Sequence, residues 1–299
     1  MDSLMCPLLI LWWSLMMYHS FVKKFQKVYL NGEFLDREEA KISPDDRGFL
    51  LGDGVYDTLR TYNGELFRFE QHAKRLFQGL DEMKIELSLS QDELKNRCVE
   101  LLRLNEITEA VLRITVSRGV SKGGYQVDPS LPPTIYISLR ETPDIDAILE
   151  KGIDLALSKI PRPLPFHTVQ KTISIAAMAL AKMESADFDV VMLDQEGNVA
   201  EGAASALLLI KDDRFFAPPK KNVLPSITRQ VIEEIYPVTE KVLSVEDFRT
   251  ADEVVLAVTT LGPVPVTKFD DVVYSKSHQL ISDLMKRYED LVDKETRHV

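Results

Sequence analysis

Lys171-Thr172-Ile173-Ser174 opens, and Asp194-Gln195-Glu196-Gly197-Asn198-Val199-Ala200-Glu201-Gly202 closes, the stretch on which the reading of this chain turns. It sets a lysine and a carboxylate about 30 residues apart. A helix is expected over roughly 173–185, opened by the lysine, with Met178, Leu180 and Met183 among alanines. Strands are expected at Asp189–Leu193 and Ala204–Ile210, which leaves Glu201 just past a turn between them. Singly, Lys171 reads as one more solvated lysine and Glu201 as a surface-loop carboxylate. To react as an amine, the lysine needs partner groups elsewhere in the chain.

Bulk properties narrow the choice. The 299 residues suffice for two domains, each with its own core. A formal charge of −11 argues against a nucleic-acid partner, which would require a basic face. Cys6 and Cys98 are too few for a disulfide framework and suit a reducing, cytoplasmic setting. The five histidines show no ligand spacing, so no metal site is expected. Leu4–Tyr18 is nearly all apolar. It is short for a spanning helix, which needs about 20 residues, and it lacks the basic start and small-residue cleavage site of a signal peptide. A membrane anchor and a poor signal sequence stay open, but residues 1–24 read best as an apolar N-terminal extension, with a true start near Met16 or Met17.

Downstream, two segments carry hairpin signatures. Asn31-Gly32 separates Lys27–Leu30 from Glu33–Leu35, and Asn63-Gly64 separates Val55–Tyr62 from Leu66–Phe69. An amphipathic helix follows from about Glu70, with Leu76, Phe77, Leu80 and Met83 on one face. Ser90 and Glu93 form a capping box for the next helix. In the strand Ala110–Ser117, Leu112, Ile114 and Val116 face one way and Arg113, Thr115 and Ser117 the other; Thr134–Leu139 is its successor. A linker is expected at 143–149, dividing a small α/β domain (25–142) from a larger cofactor-binding one (150–299). In the latter, Ile153–Leu157 and Val254–Val258 are strands and Ser277–Glu289 is a surface helix. The fold class is α+β / α/β rather than a regular βαβ series.

Three places could hold an anion. Leu224-Pro225-Ser226-Ile227-Thr228-Arg229 runs from loop into helix, leaving the amides of Ile227 and Thr228 as open donors. Thr259-Thr260 ends a strand, and Arg75 lies on the helix after the second hairpin. Each alone has an ordinary reading: a helix cap, β-propensity, a surface ion pair. No phosphate loop, dinucleotide fingerprint or nucleophile elbow competes.

Together these pieces resemble the class IV aminotransferases, the fold-type IV family of pyridoxal-phosphate enzymes, over almost everything from Lys27 to Lys286. The motifs are Arg47 to Arg60 (RGFLLGDGVYDTLR), Glu70 to Leu76 (EQHAKRL), Lys171-Thr172, Asp194 to Gly202, Leu224 to Arg229, and Ala251 to Val254. The family groups branched-chain and D-amino-acid aminotransferases with the aminodeoxychorismate lyases.

The resemblance implies a two-domain enzyme with pyridoxal phosphate at the domain cleft. Lys171 then holds the cofactor as a Schiff base and shuttles the substrate α-proton, while Glu201 pairs with the pyridine nitrogen. Arg75, the amides of Ile227 and Thr228, and Thr259 match the phosphate cup. Tyr56 lines the substrate side, with Arg60 further along the same face. A homodimer is implied, working on an amino acid and a 2-oxo acid. The branched-chain or other aliphatic reading leads; the alternatives are an aminodeoxychorismate lyase, a D-amino-acid aminotransferase and a non-catalytic cofactor binder. Several residues depart from the family. Ser174 and Ile175 stand where asparagine and tyrosine are common, Ala203 to Ala206 where serine and asparagine are usual, and Ser226 replaces a glycine. The Arg-x-His carboxylate trap of the D-amino-acid enzymes is absent from Val120–Tyr125, whose Gly124-Tyr125 looks more like the lyases. Asp57-Thr58-Leu59-Arg60 only partly matches the Glu-Gly-Ile-Arg of the branched-chain enzymes.

Overall fold

The computed structural model describes residues 25–128, 130–163, 170–274 and 279–297; the apolar run Leu4–Tyr18, with its three readings, lies outside them. The first half comprises β1 (Lys27–Leu30), β2 (Glu33–Asp36), α1 (Arg47–Leu51), β3 (Gly54–Tyr62), β4 (Glu65–Leu66), α2 (Phe69–Glu82), α3 (Gln91–Leu104), β5 (Val111–Ser117) and β6 (Thr134–Arg140). Its strands form one antiparallel sheet in the order β2-β1-β6-β5-β3-β4. Both expected hairpin turns form, with Asn31, Gly32, Asn63 and Gly64 all at positive φ. The second return strand is shorter than expected. Arg68 turns left-handed (φ 57°) and starts α2 at Phe69, so β4 stops at Leu66. The Ser90–Glu93 capping box opens α3 as its sequence requires.

One face of this sheet is the core. Val55, Leu59, Leu112 and Ile114 meet Leu76, Leu80, Leu94 and Leu101 of α2 and α3, all of them buried. Each buried leucine contributes about 1.5–3 kcal/mol relative to exposure. The helix comes close to the sheet at Gly79, where a Cβ would lie 3.2 Å from Val55 Cγ1. The opposite face carries Tyr56, Thr58, Arg113 and Thr115, none of them fully buried.

The second half continues with α4 (Ile145–Lys151), β7 (Asp154–Leu157), α5 (Ala176–Met183), β8 (Asp189–Leu193), β9 (Val199–Gly202), β10 (Ala206–Lys211), β11 (Arg214–Ala217) and α6 (Ile227–Ile235). It ends with β12 (Val238–Glu240), α7 (Val245–Arg249), β13 (Glu253–Val258), β14 (Gly262–Pro265), β15 (Lys268–Phe269), β16 (Val272–Val273) and α8 (Gln279–Thr296). Two five-stranded sheets result, β12-β11-β10-β13-β14 and β16-β15-β7-β8-β9, packed around Leu207, Leu209, Val254, Leu256 and Phe269. Residues 143–149 run into α4. Asp144 caps α4 by accepting from the Ala147 amide, and Ile145, Ile148 and Leu149, at helical spacing, pack on the C-terminal core. The two halves are joined where Phe67 packs against Val231, Tyr288 and Val292, and where Arg68 pairs with Glu234 and Glu295. Among the described residues no helix is long and apolar enough to cross a membrane.

One buried acid in the C-terminal sheet carries a pH signature. Glu253, at the start of β13, is pushed up to about 7 by burial and by the neighbouring Asp252 and Asp213. Because its folded pKa lies above its unfolded one, its contribution is fully present below the unfolded value and is lost as pH rises towards 7. Glu253→Gln should therefore gain stability over the parent between pH 5 and pH 8, read by denaturant melts at both values. An equal difference at the two pH values would refute this.

Candidate active site

Strand β3 sorts its residues by a period of two. Val55, Asp57, Leu59 and Thr61 are buried, while Tyr56 and Thr58 face a cavity of about 380 Å³ between the first sheet and the C-terminal half. Lys171 reaches this cavity from an extended segment, and the helix expected from about residue 173 starts three residues later. Its carbonyl accepts from the Tyr56 amide at 2.8 Å, the Ile173 amide donates to Gly54 O at 3.0 Å, and Thr172 bridges Val55. Residues 171–173 are thus hydrogen-bonded to the start of β3, and α5 begins only at Ala176. The Lys171 Nζ stands 4.9 Å from the Tyr56 ring centroid and forms no ion pair among the described residues.

Glu201 lies on the opposing wall, buried in β9. Its Oε2 accepts from the Leu224 amide at 3.1 Å, and Arg162 Nε donates to Oε1. Next to it, the small residues Gly202 to Ala206 make a wall that leaves room in the cavity. Asp189 holds that turn, accepting from Ser205 Oγ at 2.7 Å and the Ala204 amide at 3.3 Å. A Cβ on Gly202 would lie 2.3 Å from Ser205 Oγ and 2.7 Å from Asp189 Oδ2, so a side chain there would displace the hydrogen bond between these two residues.

The loop Leu224–Ser226 links this wall to Arg75. Arg75 lines the cavity from α2 and is buried rather than a surface residue; its Nη1 donates to Pro225 O at 2.7 Å. Ser226 caps α6 by accepting from the Arg229 amide at 3.2 Å, which leaves the amides of Ile227 and Thr228 without acceptors among the described residues. Their side chains are buried beneath the helix; Leu224 and Ser226 form the wall itself. Thr259 and Thr260, past the end of β13, complete it. Arg60 is not brought into the cavity. Although it shares the face of Tyr56, it lies about 13 Å further along the strand at 3.3–3.4 Å per residue. There Nη1 donates to Thr260 O at 2.8 Å and the guanidinium lies 4.5 Å from the Tyr62 ring centroid.

Three further arginines that the sequence does not assign to the site line the cavity: Arg113, Arg140 and Arg162. Arg113 lies 3.6 Å from the Tyr56 ring centroid, and burial followed by Arg113 lowers the pKa of Arg140. Neither Arg113 nor Arg140 forms an ion pair among the described residues. The signal for Arg113 was present, since it stands on the polar face of an otherwise apolar strand. What that face looks onto is not local information.

One cavity thus brings together a lysine with no ion pair among the described residues, a buried carboxylate and an arginine beside a helix N-terminus, a donor set suited to an anionic group. Comparison with known proteins gives the family. Residues 54–269 match the model of amino-transferase class IV. The chain is 31% identical to a putative branched-chain-amino-acid aminotransferase of Methanocaldococcus jannaschii, over 89% of this chain and 96% of that one. It is 32% identical to a D-alanine aminotransferase of Staphylococcus haemolyticus, over 82% and 89%. Among solved structures, a T.th. branched-chain amino acid aminotransferase with pyridoxamine 5'-phosphate superposes with a TM-score of 0.84 at 25% identity, over 92% and 96%. A 4-amino-4-deoxychorismate lyase from Pseudomonas aeruginosa does so at 0.77 and 25%, over 88% and 98%. The chain belongs to the class IV aminotransferase family and is a pyridoxal-phosphate-dependent aminotransferase.

The contact between Arg162 and Glu201 can be measured apart from activity. Both side chains are largely buried, so a double-mutant cycle of Arg162→Ala and Glu201→Gln on thermal stability should give a coupling of about 0.5–3 kcal/mol. Additive effects would show that the pair is not coupled.

Proposed function

We propose that this chain moves an amino group between an aliphatic amino acid, branched-chain above all, and a 2-oxo acid, with Lys171 as the residue that carries the cofactor. The observation that supports this most strongly is the setting of Lys171. It is fixed to β3 through its backbone, its amine has no counter-ion among the described residues, and it shares a cavity with Glu201 and Arg75. The donor set suits pyridoxal phosphate, with amides and a guanidinium for a phosphate and a carboxylate for a ring nitrogen. When bound, pyridoxal phosphate acts as an electron sink for the α-carbon of the substrate.

Other tasks belong to the chain. Arg75, the amides of Ile227 and Thr228, and Thr259 would hold the phosphate. Glu201 would pair with the ring nitrogen, and Lys171 Nζ would take and return the α-proton. Tyr56 forms the substrate side, Ile175, Met178 and Ala179 offer apolar surface to an aliphatic side chain, and Arg113 and Arg140 offer charge to a carboxylate. Arg60 acts through the Thr260 carbonyl rather than on substrate. The site would lie between two domains, 25–142 and 150–299, each with its own hydrophobic core. Phe49, Leu50 and Leu51, all exposed on α1, favour a homodimer through that face.

The test is a donor panel. Protein incubated with L- and D-amino acids and with 2-oxoglutarate or pyruvate is assayed for amino-group exchange, beside aminodeoxychorismate assayed for 4-aminobenzoate release. Light scattering on the same preparation should give twice the chain mass. Exchange from leucine, isoleucine or valine supports the reading. Exchange from D-amino acids alone, or 4-aminobenzoate release without exchange, overturns it in favour of the D-specific or lyase alternative.

A further inference from the structure

Asp57 is a fully buried carboxylate that does not line the cavity, because the period of β3 turns it to the opposite side from Tyr56 and Thr58. It is nevertheless one bond from the site. Arg75 Nε donates to Asp57 Oδ2 and Arg75 Nη2 to Oδ1, both at 2.8 Å, so a planar guanidinium meets a planar carboxylate in a two-point fork. The same Oδ1 accepts from the Thr58 amide at 2.7 Å and contacts His72 Nδ1 at 2.8 Å. Burial alone would raise this carboxyl; Arg75 and His72 hold it well below the usual carboxylate range, so it is ionised and accepts only. His72 Nδ1 therefore carries the proton in this pair.

The fork fixes the plane of the Arg75 guanidinium, and the bond from Nη1 to Pro225 O fixes its rotation against the loop that enters α6. Three of the five N–H groups of an arginine are thereby used. Of the other two, one is on Nη2, which also lies 3.4 Å from His72 Nδ1, and one is on Nη1, the nitrogen bonded to Pro225 O in the loop that enters α6. Charge is not what Asp57 adds, since a carboxylate beside Arg75 offsets its attraction for an anion. What it adds is orientation. Released, a long flexible side chain among Glu201 and the cavity's other charges would have several places to go.

We propose that Asp57 is the positioning residue of the phosphate cup: it holds Arg75 in line with the amides of Ile227 and Thr228, so that phosphate meets a preformed site. This rests on the reading that Arg75 and the start of α6 hold the cofactor's phosphate. Asp57→Asn keeps the volume but removes the charge and sets an amide against the Arg75 donors.

The experiment measures dissociation constants of cofactor-stripped protein for pyridoxal phosphate and for pyridoxal, which lacks the phosphate, by absorbance titration. Asp57→Asn should weaken pyridoxal phosphate at least tenfold and leave pyridoxal within twofold of the parent, and Asp57→Glu should restore part of the difference. Equal weakening of both ligands would make Asp57 merely structural and overturn the proposal, as would no change in either. If Asp57→Asn gives no cooperative melt, Asp57→Glu decides alone: an unchanged ratio of the two constants overturns the proposal, a reduced preference for the phosphorylated ligand supports it. Arg75→Lys separates the two levels. If it leaves the ratio unchanged, the phosphate reading itself fails; if it lowers the ratio while Asp57→Asn does not, only the role of Asp57 fails.

Discussion

Strand β3 is bonded along both edges near its start, to β5 on one side and to the Lys171–Ile173 segment on the other, and its side chains alternate between two environments. The side facing α2 takes Val55, Asp57 and Leu59 into the core; the side facing the cavity takes Tyr56 and Thr58. A slip of one residue would put Tyr56 in the core and Asp57 in the cavity. Lys171 would lose its backbone anchor in the same step, and Arg75 its fork. The placement of the lysine, the aromatic beside it and the buried acid behind it thus follows from a single register.

The cavity inverts the charge of the whole. A chain with formal charge −11 gathers Arg75, Arg113, Arg140, Arg162, Lys171 and Lys182 around one space, in which Glu201 is the carboxylate among the described lining residues. A low-dielectric pocket lined by one sign concentrates anionic ligands, which suits amino acids, 2-oxo acids and a phosphorylated cofactor alike. The cations are not equivalent. Arg75 is oriented by Asp57 and Arg162 is engaged by Glu201, while Arg113 and Arg140 form no ion pair among the described residues.

How much of this could be read from the chain depended on range. The Asn-Gly turns and the Ser90 cap were legible because a positive φ or an orphan amide is satisfied within a few residues. Lys171, Glu201 and Arg75 were legible together as motifs, though singly each had an ordinary explanation. The helix after Lys171 was drawn too early because residues 171–173 bond to β3, more than a hundred positions away. Arg60 was placed by strand period alone, which gives the face but not the distance along it. Ile145, Ile148 and Leu149 have the spacing of an amphipathic turn, and the core they pack on lies elsewhere in the chain.

The central claim is that Lys171 is the residue joined to the cofactor. Borohydride reduction of the protein loaded with pyridoxal phosphate, followed by proteolysis and mass mapping, tests it directly. The phosphopyridoxyl mass is expected on the peptide carrying Lys171, and absent from Lys171→Ala. Its appearance on Lys182 or another lysine, or its persistence in Lys171→Ala, would contradict the account.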